Sequence, residues 1–340
     1  MLAVLVLPLL MVIGLLIVDV GQVRLAETQL QAAVDAAARH AAVGLRDYGA
    51  ADARTRAAVA LADNGFDTHL DGVSFGLWDP ANRNLIPLTG TVAENGATAV
   101  CVTASFSPAR GDGVNTFFGS MLGYGDRQIT VSATAAIGEP VEIEIDAKAS
   151  PYLAGLSSGD GLAFTGYTDL DWAPTHSYWD DCKPSQVSIS LRPGQMLYFR
   201  DVQGSTGDYQ SGLTYGLEGN LGRTNVAQAA GYGINTTKAP LNSLMGIFLD
   251  DRRPDEWAMQ DKLDYTGTAH REARQHDPLT KQVFFIGDGV SNDDGRLQRF
   301  VVPEGATRLF LGLNDESGFW WDNFGEYRTT LFTGDIRIVE

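Results

Sequence analysis

The amino-acid sequence predicts a mainly β protein with one long N-terminal helix, and three observations lead to this fold class. Residues 2–18 form an unbroken apolar run that continues into an alanine-rich segment with helical periodicity. From Val73 onwards, several segments alternate apolar with polar residues, which is typical of strands. A length of 340 residues is sufficient for two or three domains, each with a core of its own.

The first 62 residues are predicted to form a membrane anchor and a helical stalk. The apolar run is slightly short for a helix that spans a bilayer, but residues 2–20 fall within the lower range if the flanks contribute. A cleaved signal peptide is the alternative, although no basic residue precedes the run and no clear small-residue cleavage site follows it. We therefore expect a short basic leader before Met1. The stalk helix is predicted to bury one face, formed by Val23, Leu30, Val34, Ala37, Ala41 and Leu45.

Residues 63–147 are predicted to form a small β domain. Strands are expected at residues 73–79, 99–106, 129–137 and 141–146, with a turn at 79–84 and a helical turn within 115–123. This part of the chain contains no Gly-x-Ser-x-Gly motif, no phosphate-binding loop and no paired His and Cys. We therefore predict that the protein is not an enzyme.

Residues 1–138 resemble the TadE/TadG-like proteins of tight-adherence pili. The resemblance rests on Asp-Val-Gly, Gln-Leu-Gln and Ala-Val-Asp-Ala-Ala-Ala in the helical segment, and then on Phe-Gly-x-Trp-Asp, Phe-Phe-Gly-x-x-Leu-Gly and Val-Ser-Ala-Thr-Ala. It implies a pseudopilin-type protein that contacts other pilins through its N-terminal helix. The implied location is the inner membrane, with extracytoplasmic domains, or an assembled extracellular pilus. A generic single-pass anchor with a helical stalk is the alternative.

Residues 148–184 are rich in Gly, Ser, Asp and Pro and are predicted to connect two domains. The chain has two cysteines, and a disulfide between Cys101 and Cys182 and two separate thiols are both compatible with the sequence. The five histidines are scattered, so no zinc site is predicted. A formal net charge of −17 argues against nucleic acid as a partner, because phosphate binding requires a basic surface.

Residues 185–340 are predicted to form a second β domain whose closing loop, residues 314–327, is rich in oxygen donors. Calcium takes six to eight oxygen ligands from carboxylates, amides and backbone carbonyls. An acidic hairpin loop whose side chains cap their own turns is the alternative. The donors in this loop are Asn314, Asp315, Glu316, Asp322 and Asn323.

This second domain resembles the LecA-type bacterial lectins, which are calcium-dependent, galactose-binding β-sandwiches. The resemblance rests on Phe-Val-Val-Pro-Glu-Gly-Ala-Thr-Arg-Leu-Phe-Leu-Gly-Leu-Asn-Asp at residues 300–315, followed by Asp-Asn-Phe-Gly-Glu-Tyr at 322–327. It implies a jelly-roll sandwich in which Asp315, Asp322 and Asn323 bind calcium through side chains and Phe319 through its carbonyl. A further carbonyl is implied near Gly207 or Asp208.

In these lectins the sugar hydroxyls complete the coordination shell of the calcium ion. The resemblance therefore implies a carbohydrate site, for a galactose-like or another glycan, on the same residues. The family's His and Gln contacts with the sugar have no His-x-x-Gln counterpart in residues 208–240. The residues expected to contact the glycan are Asp315, Glu316, Trp320, Asp322 and Tyr232.

The combined prediction is a TadG-like minor pilin that displays a calcium-dependent lectin domain for surface adhesion. One alternative is a structural component of the pilus or envelope, in which the sandwich binds protein neighbours and calcium only stiffens a loop. A glycan hydrolase is a further alternative, and it requires two carboxylates roughly 5 to 9 Å apart in a cleft.

Overall fold

The structure is a computed structural model, and it describes nine stretches of the chain. For residues 2–13 and Asp201 only the backbone is described. Contacts within the chain divide it into two units, Met1–Gly138 with Asp335–Glu340, and Glu139–Gly334. The described stretches are residues 2–121, 123, 125–138, 140–157, 181–209, 212–224, 233–291, 295–316 and 319–339.

The first unit is built on two helices, α1 (Leu2–Tyr48) and α2 (Ala50–Asp63). Gly49 separates them in a left-handed conformation (φ 93°), which glycine adopts without steric cost. The helices pack closely through alanines, and a Cβ at Gly44 would lie 2.9 Å from the Cα of Ala53. The predicted buried face of α1 is confirmed, since Leu30, Val34, Ala37, Ala41 and Leu45 are all buried and Val23 packs against the same core.

A five-stranded antiparallel sheet covers this face of α1. Its strand order is β16-β6-β3-β1-β2, and the strands predicted at 73–79, 99–106 and 129–137 correspond to β1, β3 and β6. Buried Val100, Val102 and Val131 share one core with the helices. The sheet strands are β1 (Leu70–Asp79), β2 (Asn84–Leu88), β3 (Ala99–Phe106), β6 (Ile129–Ile137) and β16 (Ile336–Val339).

Smaller elements lie beside this sheet. The predicted helical turn is confirmed as α4 (Phe117–Met121), and the predicted turn at 79–84 is closed by hydrogen bonds from Ala81 and Asn82 to the carboxylate of Asp79. The remaining elements are α3 (Thr91–Asn95), the paired short strands β4 (Val114–Asn115) and β5 (Asp126–Arg127), and a 3-10 turn at Pro108–Arg110.

The second unit is a β-sandwich of two sheets. One sheet has the order β12-β10-β14, and the other has the order β11-β13-β8-β15-β7, with β9 paired to β8. The strands are β7 (Val141–Asp146), β8 (Met196–Asp208), β9 (Thr214–Tyr215), β10 (Leu244–Leu249), β11 (Gln275–His276), β12 (Val283–Phe285), β13 (Arg299–Val301), β14 (Arg308–Leu313) and β15 (Asn323–Thr333). A short helix, α5 (Thr268–Arg271), and 3-10 turns at Pro151–Leu153, Pro254–Glu256 and Trp320–Asp322 complete this unit.

Aromatic side chains fill the space between the two sheets. Phe284 on β12 stacks on Phe248 of β10 and lies 5.5 Å from Phe300 on β13 of the opposite sheet. Phe300 in turn meets Phe199 of β8 edge to face. The predicted mainly β architecture with a C-terminal sandwich is therefore present. Whether the strand order is that of the LecA-type lectins stays a prediction.

The structure corrects the predicted domain boundaries. Strand β7, which we placed in the domain of residues 63–147, pairs with β15 and belongs to the sandwich. Strand β16, which we placed in the domain of residues 185–340, pairs with β6 in the first unit. The sequence pattern identifies both segments as strands, but it does not say which partner supplies their hydrogen bonds.

The described part of the predicted connection, residues 148–157 and 181–184, is not a linker. Tyr152, Leu153 and Cys182 are buried in the core of the sandwich. The rest of the connection lies outside the described residues.

Cys101 and Cys182 are both free thiols in the structure. The sequence is compatible with a disulfide between them and with two separate thiols, and the disulfide stays a prediction. Cys101 is half-buried on β3, and Cys182 belongs to the sandwich core. Burial raises the pKa of the Cys182 thiol to about 12. The two side chains have separate environments, one in each unit.

No helix in the described part of the chain offers an apolar stretch of the length and hydropathy that a membrane span needs. The anchor predicted at residues 2–20 stays a prediction.

Candidate functional site

The candidate site lies where β14 and β15 are joined. Strand β14 ends at Leu313, a 3-10 turn covers Trp320–Asp322, and β15 begins at Asn323. Asn323 is paired with Asp208, the last residue of β8. The sheet therefore brings the end of β8 next to the loop that the sequence singles out.

A small cavity of about 50 Å³ opens at this point. The carboxylates of Asp208, Asp315 and Asp322 line it together with Phe319. Asp315 and Asp322 are 4% and 3% exposed, so water solvates them very little. Arg223, Leu241 and Glu316 complete the lining.

Among the residues that the structure describes, no hydrogen-bond donor reaches three buried oxygen atoms at this site. They are Oδ2 of Asp315, Oδ1 of Asp322 and Oδ1 of Asn323. The other polar atoms of two of these side chains are used, since Oδ1 of Asp315 accepts the N–H of Glu316 at 2.6 Å and Nδ2 of Asn323 donates to the carbonyl of Ala147 at 3.1 Å. Nearly all buried polar groups in proteins are paired, and an unpaired one costs about 1–3 kcal/mol. Oxygen atoms of this kind are ligands that a hard cation accepts.

Burial and nearby negative charges raise the pKa of both carboxyls. Burial, with a further contribution from the charge of Asp322, raises the pKa of Asp315 to about 7. Burial, with repulsion from Asp208, raises the pKa of Asp322 to about 6. Both shifts arise mainly because burial disfavours the charged form of a carboxyl, and a neighbouring carboxylate adds to the effect in each case.

Phe319 lines the same cavity, as the predicted carbonyl ligand should. Its carbonyl accepts the N–H of Asp322 at 3.1 Å.

The donor set is chemically suited to calcium. It offers two carboxylates, one side-chain amide oxygen and one backbone carbonyl, all hard oxygen ligands. In the described residues, no three His, Cys, Asp or Glu side chains form a group that could hold a metal by themselves. The predicted set contains only two such side chains and depends on the amide and the carbonyl for the rest.

Arg223 is a residue of this site that the sequence analysis missed. Its guanidinium forms an ion pair with Glu316, and both side chains are about half exposed, at 51% and 43%. The pair lies at the rim of the cavity, where it connects the segment after β9 with the loop before β15. No motif surrounds Arg223 in the sequence, so only the folded chain reveals its position.

The structure contradicts the predicted sugar contact of Trp320. Its side chain is 1% exposed and stacks on Tyr152, with ring centroids 6.5 Å apart. The ring belongs to the core because the 3-10 turn directs it inward, so its face is not available to a sugar. Trp321 is partly buried and packs against the same core. Tyr232, the other predicted aromatic contact, lies outside the described residues.

Asn314, which the sequence analysis counted among the oxygen donors, is used structurally. Its amide donates to the carbonyl of Ala239 at 2.8 Å, and its oxygen accepts the hydroxyl of Tyr152 at 3.3 Å. Both ends of the amide are satisfied within the core. Asn314 therefore fixes the end of β14 and is not one of the site's unpaired donors.

Two protein-family models match the N-terminal part of the chain. One, described as "Putative Flp pilus-assembly TadE/G-like", matches residues 1–44, and the other, described as "Putative Tad-like Flp pilus-assembly", matches residues 26–135. Together the two matches make residues 1–135 similar to Tad-like pilus-assembly proteins. We call these residues the Tad-like region. The Tad-like region covers α1, α2 and most of the sheet of the first unit. The match of the two family models to this region suggests a pilus-associated component.

No curated protein and no solved structure matches the chain. The resemblance of the sandwich to LecA-type lectins therefore has no support from these comparisons. What the sandwich does has to be argued from its own residues.

Proposed function

We propose that the chain is a pilus-associated adhesion protein whose sandwich binds carbohydrate through a calcium ion. The Tad-like region would contact other pilus-assembly proteins through its N-terminal helix. Residues 2–20 would anchor the chain in the inner membrane, with the sandwich outside the cytoplasm, either there or after incorporation into an extracellular pilus. The family match of residues 1–135 supports the pilus part of this proposal.

One observation carries the calcium part of the proposal. The three side chains that the lectin pattern assigns to the ion, Asp315, Asp322 and Asn323, each hold a buried oxygen without a donor. An ordinary acidic turn uses its side-chain oxygens to accept backbone N–H groups. Here Asp315 accepts the N–H of Glu316 with one oxygen and Asp322 accepts its own backbone N–H, but each carboxylate keeps another buried oxygen without a donor among the described residues. A divalent cation would satisfy all three atoms at once and remove the repulsion between the carboxylates.

The rim of the cavity supports a role in binding a polar ligand. Glu316 and Arg223 are exposed there and carry several acceptors and donors. A sugar hydroxyl could complete the shell of the ion while its neighbours bond to these two side chains. No chemistry on the glycan is proposed, because a cavity of about 50 Å³ is not a cleft that encloses a sugar chain.

A second function is favoured by a different observation. Trp320 is buried, so its ring offers no face on which a sugar could stack. The cavity is also small. In this alternative the ion only stiffens the loop between β14 and β15, and the sandwich binds protein neighbours in a pilus or envelope.

Calorimetric titration of calcium into the metal-stripped full chain tests the proposal. The variant Asp322→Ala removes one ligand, and Asp261→Ala changes an exposed aspartate elsewhere in the sandwich as a control. A glycan array probed with and without calcium follows. Calcium uptake lost only in Asp322→Ala, together with calcium-dependent glycan binding, is the expected result. Uptake without glycan binding would favour the structural alternative, and no uptake would disprove the calcium site.

A further inference from the structure

Asp19 is the first charged residue after the apolar run of residues 2–18, and it is 6% exposed. Its carboxylate lies at the beginning of α4 and accepts three backbone N–H groups. Oδ1 accepts from Phe117 at 2.8 Å, and Oδ2 accepts from Phe118 at 2.8 Å and from Gly119 at 3.0 Å. Hydrogen bonds to a carboxylate are about twice as strong as neutral ones, so this contact fixes α4 against α1.

The contact changes the surface at the end of the apolar run. An exposed aspartate would end an apolar surface with a hydrated charge. Here α4 covers that charge and presents apolar side chains of its own, since Phe117 is 59% and Met121 is 70% exposed. On α1, the exposed apolar residues on either side of Asp19 are Leu16, Ile17, Val18 and Val20. We call Leu16, Ile17, Val20, Phe117 and Met121 the lipid-contact surface.

A groove of about 670 Å³ runs beside this surface between α1 and the segment that leads into β6. Leu16, Val20 and Phe118 line it at the apolar end of α1. Arg24, about two turns further along α1, and Arg127 also line it. The groove therefore changes from apolar to polar along the helix. The acidic groups that line it are both engaged, Asp19 with α4 and Glu27 with Arg24 at 2.7 Å.

We propose that the lipid-contact surface lies in the membrane interface and is in direct contact with phospholipid. This inference rests on the proposed membrane anchoring of residues 2–20. The position of the surface supports lipid as the occupant. Leu16 and Ile17 belong to the apolar run of residues 2–18, and the Asp19 contact places α4 directly beside the end of that run. The exposed apolar surface therefore continues from the run onto α4.

The order of residues along α1 agrees with the order of layers in a bilayer. Leu16, Phe117 and Met121 would reach the acyl chains, and Arg24 and Arg127 would reach the phosphates beyond them. Apolar side chains such as these insert at the boundary of the acyl chains, and arginines extend their charged ends toward headgroups. Without the Asp19 contact, α4 would have no fixed position at this depth.

Spin labels on the full chain in vesicles of phosphatidylcholine and phosphatidylglycerol test the proposal. Cysteines replace Met121, Leu10 or Val92 singly, in a background with Cys101→Ser and Cys182→Ala whose melting curve matches that of the native chain. Leu10 reports on the anchor. Val92 is the matched control, because it is 67% exposed in the same unit but is not part of the lipid-contact surface. Accessibility to oxygen and to a water-soluble nickel complex gives the depth of each label.

The expected result is that the Leu10 and Met121 labels are both accessible to oxygen and protected from nickel, while the Val92 label is open to nickel. A Leu10 label in lipid with a Met121 label in water would overturn the inference and leave the anchor intact. Both labels in water would overturn the inference and the proposed anchoring together. Spin–spin broadening at Met121 that persists when the protein is diluted in lipid would overturn it in favour of a second copy of the chain.

Discussion

Asn323 at the start of β15 is paired with Asp208 at the end of β8. Through this one pair, two segments that are far apart in the sequence supply oxygen atoms to the same small cavity. Asp322, next to Asn323, experiences the charge of Asp208 directly. The candidate calcium site is thus a property of the β8–β15 ladder as much as of the loop that precedes it.

Replacing Asp315 by Asn should stabilise the metal-free protein and abolish its response to calcium. The amide keeps the acceptor for the N–H of Glu316, removes a buried negative charge and adds a donor beside the unpaired oxygens of Asp322 and Asn323. We expect the free energy of unfolding at about pH 8 in a chelator to rise by about 1–3 kcal/mol. Urea titration followed by tryptophan fluorescence measures it.

The control for this prediction is Asp261→Asn, which changes an exposed carboxylate in the same unit. It should leave both the stability and the calcium response unchanged. For the native chain, calcium at about one hundred times its Kd should add about 2.7 kcal/mol. A destabilised Asp315→Asn variant would contradict our account of the unpaired oxygens.

His276 should make the sandwich less stable as the pH falls. The ring is buried, stacks on Phe300 with centroids 4.9 Å apart, and its Nε2 has no partner. Burial lowers its pKa to about 4 from the ordinary histidine value of 6.5, despite the opposing charge of Asp277. Between these two values the unfolded chain binds the proton and the native one does not, so stability is lost as pH drops from 6.5 toward 4.

The variant His276→Phe should remove this part of the pH dependence, which amounts to about 3 kcal/mol. A phenyl ring keeps the stacking on Phe300. The carbonyl of Ala273 accepts a hydrogen bond from His276. In the variant it would still accept one from the side-chain amide of Gln298, at 3.1 Å. Stability near neutral pH should change little. Denaturation curves of both proteins across this range check the result, and parallel curves would show that His276 does not titrate as we expect.

Lys281 should be essential to the stability of the segment at residues 254–258. Its ammonium group donates to the carbonyls of Pro254, Trp257 and Ala258 at 2.7–3.0 Å and lies 3.9 Å from the centre of the Trp257 ring. Replacement by Met leaves three inward carbonyls without this donor. We expect a loss of about 2–4 kcal/mol and new proteolytic cleavage within the segment. Lys262→Met, at an exposed position, is the control.

The contact between Asp19 and α4 should protect backbone amides from exchange. In Asp19→Ala the N–H groups of Phe117, Phe118 and Gly119 lose their acceptor, so their hydrogen exchange should accelerate strongly. Asp19→Asn keeps one acceptor oxygen and should give an intermediate result. Exchange measured by mass spectrometry in detergent distinguishes the three proteins. Equal protection in all of them would show that α4 is held by packing alone.

Local patterns in the sequence were sufficient to place many of the elements. The alternation of residues around Val102 and Val131 predicted β3 and β6, and the helical spacing of Leu30, Val34 and Ala37 predicted the buried face of α1. These signals are local, because each depends on neighbours within a few residues of the chain. The predictions failed where partners are distant, as for the pairing of β7 and β16 and for the orientation of Trp320.

The sequence by itself determined that the chain has a helical, Tad-like N-terminal region and that oxygen donors cluster at Asp315, Asp322 and Asn323. Both conclusions follow from residue types and their spacing along the chain. Only the tertiary structure decided that these oxygens are buried without donors, that Asp208 and Arg223 join them, and that α4 covers Asp19. Burial and pairing depend on segments that meet only after folding, and the periodicity of a strand or a helix does not encode which segments those are.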